Sequence, residues 1–377
     1  MISEATSAGV GKYTIDLAEG LLNQGHEVHL LYATARIDNA FREGLARLSG
    51  LRSEVIEFKR SPHPEDVFNV SKVLKYIRQH GPMDILHGQS SKGGAISRLA
   101  GIAVRCPVVY TPLCISTLAP TFGRISRAIF GRIEWLLAMK TSMILCASQD
   151  EFDHINSLGI PFKKLRLVHY GVAPPINSSR DAVRRSLGLQ QDAILVGFVG
   201  RFTAQKNPEM LVRAFAAAAQ QTAEARLVLI GSGELEPSLR RIAEELGISQ
   251  RIDWLGYRPG CQSMPAFDIL AVPSSYESLP YVMLEGLTIG LPIVITAVAG
   301  ARDGVVDGVN GFVIEPYDEA AMTQCLQKLI ESAQLRESFS AAAKMSSAEF
   351  TLSRMIEKTM DVYEQCLTSS HKQATDN

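Results

Sequence analysis

The chain has little of what marks several common kinds of protein. Its six cysteines (Cys106, Cys114, Cys146, Cys261, Cys325 and Cys366) are scattered, with no two at C-x-x-C spacing. They read as reduced small side chains rather than a disulfide frame or a zinc site. No apolar run approaches the roughly 20 residues that span a bilayer. MISEATSAG, at the start, has neither a basic beginning nor the apolar stretch of a secretory signal. Nor is there a basic excess: 38 Lys plus Arg stand against 39 Asp plus Glu, a formal net charge of −1. A chain built to coat nucleic-acid phosphates needs surplus cations, so no nucleic-acid partner is expected. No G-x-G-x-x-G follows a strand with an acid about 20 residues on, which sets a dinucleotide oxidoreductase aside. The expected location is the cytoplasm.

What is present is ordinary globular composition, 46% hydrophobic and 20% charged. At 377 residues the chain exceeds what one core usually organises, so two domains are expected. Strand-like and helix-like segments alternate, the pattern of parallel sheets covered by helices. In the first half, strands are expected at 27–32, 84–87, 108–110 and 143–147, with helices at 12–23, 67–79 and 124–140. APPINSSR, at 173–180, breaks both periodicities and reads as a linker. Beyond it ILVGFV, at 194–199, is a continuous apolar run of the kind buried on both faces of a parallel sheet. Strands at 226–230, 252–255, 269–272 and 292–295 repeat it, with helices at 209–220, 235–246, 281–288 and 320–331. The expected architecture is α/β, two Rossmann-like doubly wound domains facing across a cleft. The expected divisions are 1–173, a linker at 174–180, 181–345, a helix at 346–366 that packs back on the first domain, and a frayed tail at 367–377.

Ligands of such sheets bind outside the carboxyl ends of the strands. GRFTAQKNP, at 200–208, places Arg201 and Lys206 at one of those ends. Arginine offers a bidentate fork to phosphate oxygens and lysine a compact charge, so an anion site is preferred over a solvated basic loop. IGSGE, at 230–234, ends a second strand with Gly231 and Gly233, glycines that permit either a tight turn or a close ligand. PSSYE, at 273–277, follows a third and leads into ESLPYVMLE, where Glu277 and Glu285 stand eight positions apart. If Pro280 opens a helix, Glu277 lies in the loop before it and Glu285 in its second turn, both near a terminus that attracts anions. A basic pair, a glycine turn and a carboxylate pair at three strand ends suit a nucleotide diphosphate joined to something rich in hydroxyls. In the first half, SAGVGKYT lacks the spacing of a phosphate loop. DILHGQSSKGG carries His87 and Gln89 at a strand end, where a histidine serves structure as readily as catalysis.

These stretches, with GARDGVVDGVNGFVIEP and FTLSRMIEKTMDVYEQCL, make the chain resemble the retaining, nucleotide-sugar-dependent glycosyltransferases of family 4 (group 1), with GT-B architecture, over nearly its whole length. The most specific part is Glu277-x7-Glu285 with Arg201 and Lys206. The resemblance implies that Arg201 and Lys206 bind the donor diphosphate and stabilise the leaving group. It puts Glu277 on the transferred sugar and Glu285 on the ribose. The backbone of Leu279 and Pro280 would meet the phosphates, and Gly9 and Gly11 would give room beside the donor. His87 and Gln89 fall on the acceptor or sugar side. No cofactor is implied beyond a UDP- or GDP-linked sugar as co-substrate. No metal is implied either, the cations taking its place, and there is no Asp-x-Asp triplet. Retention would proceed by attack on the face the nucleotide leaves, the phosphate taking the acceptor proton. The acceptor would be a saccharide or a lipid-linked saccharide, in polysaccharide or glycoconjugate biosynthesis.

The match departs twice from the family pattern. Only Met1-Ile2-Ser3 precede the glycine loop where relatives have a full strand, so the start is late or the central strand of the first sheet is missing. Thr111-Pro112-Leu113-Cys114 stands where relatives read T-P-H-G. These departures keep a non-catalytic GT-B binding subunit open as a second reading, and a nucleotide-sugar epimerase is a third. Finally, RISRAIFGRIEWLLAMK, at 124–140, mixes cations with apolar residues. Such a helix can lie on the inner face of an anionic membrane as a peripheral contact. The preferred reading is a packed helix with a solvated charged face.

Overall fold

The computed structural model describes residues 1–58, 63, 66–118, 122–174 and 178–375. The linker expected at 174–180 lies partly outside these residues. The chain forms two units: Met1–Gly171 with Leu352–Asn377, and Val172–Thr351. Each is built on one parallel sheet.

In the first unit the strands are β1 (Ile2–Ser3), β2 (His29–Tyr32), β3 (Arg52–Val55), β4 (Leu86–Gln89), β5 (Val108–Thr111), β6 (Met143–Cys146) and β7 (Leu165–Leu167), in spatial order β3-β2-β1-β4-β5-β6-β7. The central strand is therefore present. It is two residues long and paired on both sides, Ile2 with Leu31 and with Gly88. Arg52–Val55 was absent from the expected strands because all four of its residues are exposed and it carries no apolar alternation. The helix Ala8–Asn23 begins four residues before the expected position 12, so Gly9 and Gly11 lie in its first turns rather than in an open loop.

In the second unit β8 (Ile194–Val199), β9 (Ala225–Ile230), β10 (Ile252–Gly256), β11 (Ile269–Val272), β12 (Ile293–Thr296) and β13 (Gly311–Ile314) are ordered β10-β9-β8-β11-β12-β13. The order reverses between β8 and β11, the switch point where α/β sheets open a crevice. β11 and β12 are wholly buried, as their unbroken apolar runs require. Arg184, fully buried, donates to the carbonyls of Ala266 and Ala193 at 2.8 and 2.9 Å and to Asp268 at 2.7 Å. That pins the helix Arg180–Leu187 to the sheet.

The chain enters and leaves the second unit side by side, Val172 bridging Thr351. The last helix, Leu352–Thr375, groups with the first unit and runs well past 366, into the stretch expected to be a frayed tail. Tyr363 on this helix meets Nδ1 of His87 at 2.6 Å, while Nε2 of His87 meets Thr111 at 2.7 Å. In the helix Arg124–Ala138 the cations Arg124, Arg127 and Arg132 are exposed as expected and Trp135 packs on the core, but much of the apolar side is exposed as well. Its buried residues are Gly131, Glu134 and Ala138, and Ile125, Ile129, Ile133 and Leu136 face water.

Complete burial drives the pKa of His87 down to about 3. The folded chain thus keeps this imidazole neutral, whereas the unfolded chain takes up a proton below about pH 6.5. The stability it contributes is complete above that value and is lost as pH falls from there toward 3. Urea unfolding at about pH 7.5 and about pH 5.5 should show wild type losing about 1.4 kcal/mol more than His87→Gln. Equal losses in the two proteins would remove His87 as the responsible group.

Candidate functional site

The loop after β8 is held on both flanks. On one side Gly200 N–H donates to Ile230 at 3.0 Å, Phe202 N–H to Ser232 at 2.9 Å, and Leu235 N–H to Phe202 at 3.1 Å. On the other, Ser275 N–H donates to the Gln205 carbonyl at 2.7 Å, and its hydroxyl reaches the same oxygen at 3.0 Å. The Gln205 side chain returns a bond to the Tyr276 carbonyl at 3.2 Å. Three strand ends that the sequence could only align in order are thus stitched into one surface. On it the Lys206 ammonium meets the Glu277 carboxylate at 2.5 Å. Arg201, on the same loop, is exposed.

Gly231 and Gly233 have a reason visible in the chain itself. Gly231 has φ +143°, and a Cβ on it would stand 1.9 Å from the Gly200 carbonyl oxygen. A Cβ on Gly233 would stand 2.4 Å from the Phe202 carbonyl oxygen. Both therefore let one loop nest against the next.

Glu277 precedes a short loop in which Ser278, Leu279 and Pro280 are all buried. Pro280 is the N-cap residue of the helix Tyr281–Ile289, one position outside it, and Glu285 sits in the second turn as expected. Oε2 of Glu285 lies 3.3 Å from where a Cβ of Gly260 would be, so the loop after β10 joins the same surface. Gly300, with φ +74°, presses on the carbonyl of Ser278 from the other side. Among the described residues the buried hydroxyl oxygens of Thr203, Ser274 and Ser278 have no hydrogen-bond partner. Sequence reasoning missed Thr203, Gln205, Ser275 and Gly260. Thr203, Gln205 and Ser275 lie inside the stretches already quoted, so position was their only signal, and Gly260 had none.

The residues chosen in the first half behave differently. His87 is a core histidine with both ring nitrogens engaged, and Gln89 is fully buried, accepting from the Thr14 hydroxyl at 2.6 Å. His87 thus has no ring nitrogen left for an acceptor or sugar, whereas Nε2 of Gln89 is buried without a hydrogen-bond partner. Gly11 is packed against Thr6 and Phe41 of its own unit. In the loop that departs from T-P-H-G, Leu113 and Cys114 both take left-handed backbone, at φ +56° and +86°. The buried carboxylate of Glu151 holds it there, accepting from the N–H groups of Cys114, Ile115 and Ala147 at 3.2, 3.0 and 2.9 Å.

Comparison with known proteins decides the family. The model described as Glycosyltransferase Family 4 matches residues 7–174, and that described as Glycosyl transferases group 1 matches residues 179–346. The chain belongs to the group 1, family 4 glycosyltransferases. It is 35% identical over 214 residues to the D-inositol 3-phosphate glycosyltransferase of Stackebrandtia nassauensis, across 53% of this chain and 48% of that one. The match thus spans about half the length of that relative. It is 26% identical over 313 residues to the UDP-Gal:alpha-D-GlcNAc-diphosphoundecaprenol alpha-1,3-galactosyltransferase of Escherichia coli, across 79% of each. The fold matches the crystal structure of HepE from Anabaena, in complex with UDP and glucose, with a TM-score of 0.81 at 21% identity, across 97% and 99% of the chains. The architecture of this glycosyltransferase is GT-B.

Gly231→Ala should cost about 2 kcal/mol or more, because side chain and carbonyl cannot share that space. Gly247, at φ +69° with open space around it, is the control. Chemical denaturation of Gly231→Ala and Gly247→Ala compares them, and equal losses would show that the two loops can move apart freely.

Proposed function

We propose that this glycosyltransferase is retaining and takes its sugar from a UDP-linked donor bound on the second unit at the ends of β8, β9 and β11. The observation that carries the reading is the Lys206–Glu277 ion pair on the surface those strand ends share. A donor diphosphate would compete for Lys206 and recruit Arg201, charge-assisted contacts that outlast the resting pair. Released from Lys206, Glu277 accepts hydrogen bonds from hydroxyls of the transferred sugar. Glu285 accepts from the ribose, and the backbone N–H groups opening the helix Tyr281–Ile289 face the phosphates. The names of the Escherichia coli and Anabaena proteins favour UDP over GDP.

In the transfer step the bond from the anomeric carbon to the phosphate oxygen breaks as that from the acceptor oxygen forms on the same face. The acceptor proton passes to the departing phosphate, so no enzyme nucleophile is required. Arg201 and Lys206 bear the developing negative charge, the kind of fixed stabilisation that supplies most of an enzyme's rate. The reading requires no metal. The acceptor is a saccharide, free or lipid-linked, the latter as named for the Escherichia coli relative. The setting is cytoplasmic assembly of a polysaccharide or glycoconjugate.

Calorimetric titration with UDP and with GDP tests the reading. UDP should bind, and Lys206→Ala and Glu285→Ala should each weaken it about tenfold or more. Glu277→Ala should leave UDP affinity unchanged or improve it, because it frees Lys206, yet should lower turnover of the UDP-sugar by about a hundredfold. UDP binding indifferent to Lys206→Ala would place the site elsewhere, and binding without turnover on any acceptor would favour a non-catalytic subunit.

A further inference from the structure

The helix Arg124–Ala138 exposes a row of large apolar side chains beside its cations, and a buried ion pair sets its rotation. Arg98, with no exposure at all, donates to Glu134 at 2.8 Å and to the Gly94 carbonyl at 2.9 Å. Its guanidinium lies 4.1 Å from the centre of the Tyr110 ring. Glu134 is the helix's one carboxylate, and this anchor holds it inward. At 100° per residue, the face opposite Glu134 then carries Ile125, Ile129, Arg132, Leu136 and Met139. Ile125 is 79% exposed, and Ile129 and Met139 are each 55% exposed.

The stripe continues beyond the helix. Lys164 donates to the carbonyls of Ala138, Met139 and Thr141 at 2.7, 3.1 and 2.8 Å, which seats its turn against the helix end. Phe162, two residues before it, is 67% exposed. Arg124, Arg132, Lys140 and Lys163 are exposed along this margin, and the outward face of the helix carries no acid. Large apolar side chains held in water beside unopposed cations have one physical complement, a surface that is apolar inside and anionic at its rim.

We propose that this face docks the first unit on an anionic lipid bilayer. The isoleucines, Leu136, Met139 and Phe162 would enter the boundary between headgroups and acyl chains, and the cations would meet lipid phosphates. A second copy of the chain is a poorer occupant, because a two-fold contact would set the cations against their own equivalents. Among the described residues no helix is long and apolar enough to cross a membrane, so the contact is peripheral. The inference is independent of the donor reading, since every residue it uses lies in the first unit.

Co-sedimentation of the full chain tests it, with vesicles of phosphatidylcholine alone and with vesicles containing about a quarter phosphatidylglycerol. The chain should bind the anionic vesicles and not the neutral ones, and high salt should release it. Ile125→Ser with Ile129→Ser, and separately Arg124→Ala with Arg132→Ala, should each weaken binding roughly tenfold. Unchanged circular dichroism would show that the variants fold, as expected for exposed positions. Failure of wild type to bind anionic vesicles would overturn the proposal, as would equal binding by wild type and both variants. So would a wild-type dimer that Ile125→Ser with Ile129→Ser converts to monomer, which would assign the face to self-association.

Discussion

The second unit's site depends on two loops lying closer than side chains allow. Gly231 presses its backbone on the Gly200 carbonyl, and Gly233 does the same at Phe202. This nesting fixes the loop after β8, and that loop aims Lys206 at Glu277. Loops are ordinarily the mobile parts of an α/β domain. Here main-chain hydrogen bonds on both flanks make the 200–207 loop an extension of the sheet. A site that must stabilise a charge as it develops gains from such rigidity, because its dipoles need not reorganise during the reaction.

The first unit is organised by a different device, polar groups buried with their partners. Burying a charge is costly unless it is paired and hydrogen-bonded. Arg98 with Glu134 meets that condition, and so does Glu151 with three N–H donors. Each fixes something an apolar contact would leave free. Glu134 sets the rotation of a helix, and Glu151 holds two residues in left-handed backbone. His87 performs a similar task over a long sequence distance, tying the last helix to the sheet through Tyr363. These groups give the unit its particular arrangement more than they add to its stability.

All nine strands expected from apolar runs sit within two residues of the observed ones, because full burial in a parallel sheet writes itself as uninterrupted hydrophobicity. Ile194–Val199 is the clearest case. β3 escaped because an exposed edge strand needs no apolar face, and β1 because two residues make no pattern. Arg201, Lys206, Glu277 and Glu285 were legible because strand ends of such sheets are where ligands bind. Gln205 and Ser275 were not, since their contribution is a main-chain contact across 70 residues of sequence.

The sequence by itself determined the class of fold, the two units, the family and the charged residues at the strand ends. These follow from local periodicity and from motifs whose members stand close together in the chain. Tertiary structure alone decided which face of Arg124–Ala138 looks outward, that His87 is a core residue, and that Lys206 rests on Glu277. Each of those outcomes turns on a partner distant in sequence: Arg98 for Glu134, Tyr363 for His87, Glu277 for Lys206. Composition and spacing show that a side chain could bear charge or be buried. Only packing selects the partner that settles which of the two it does.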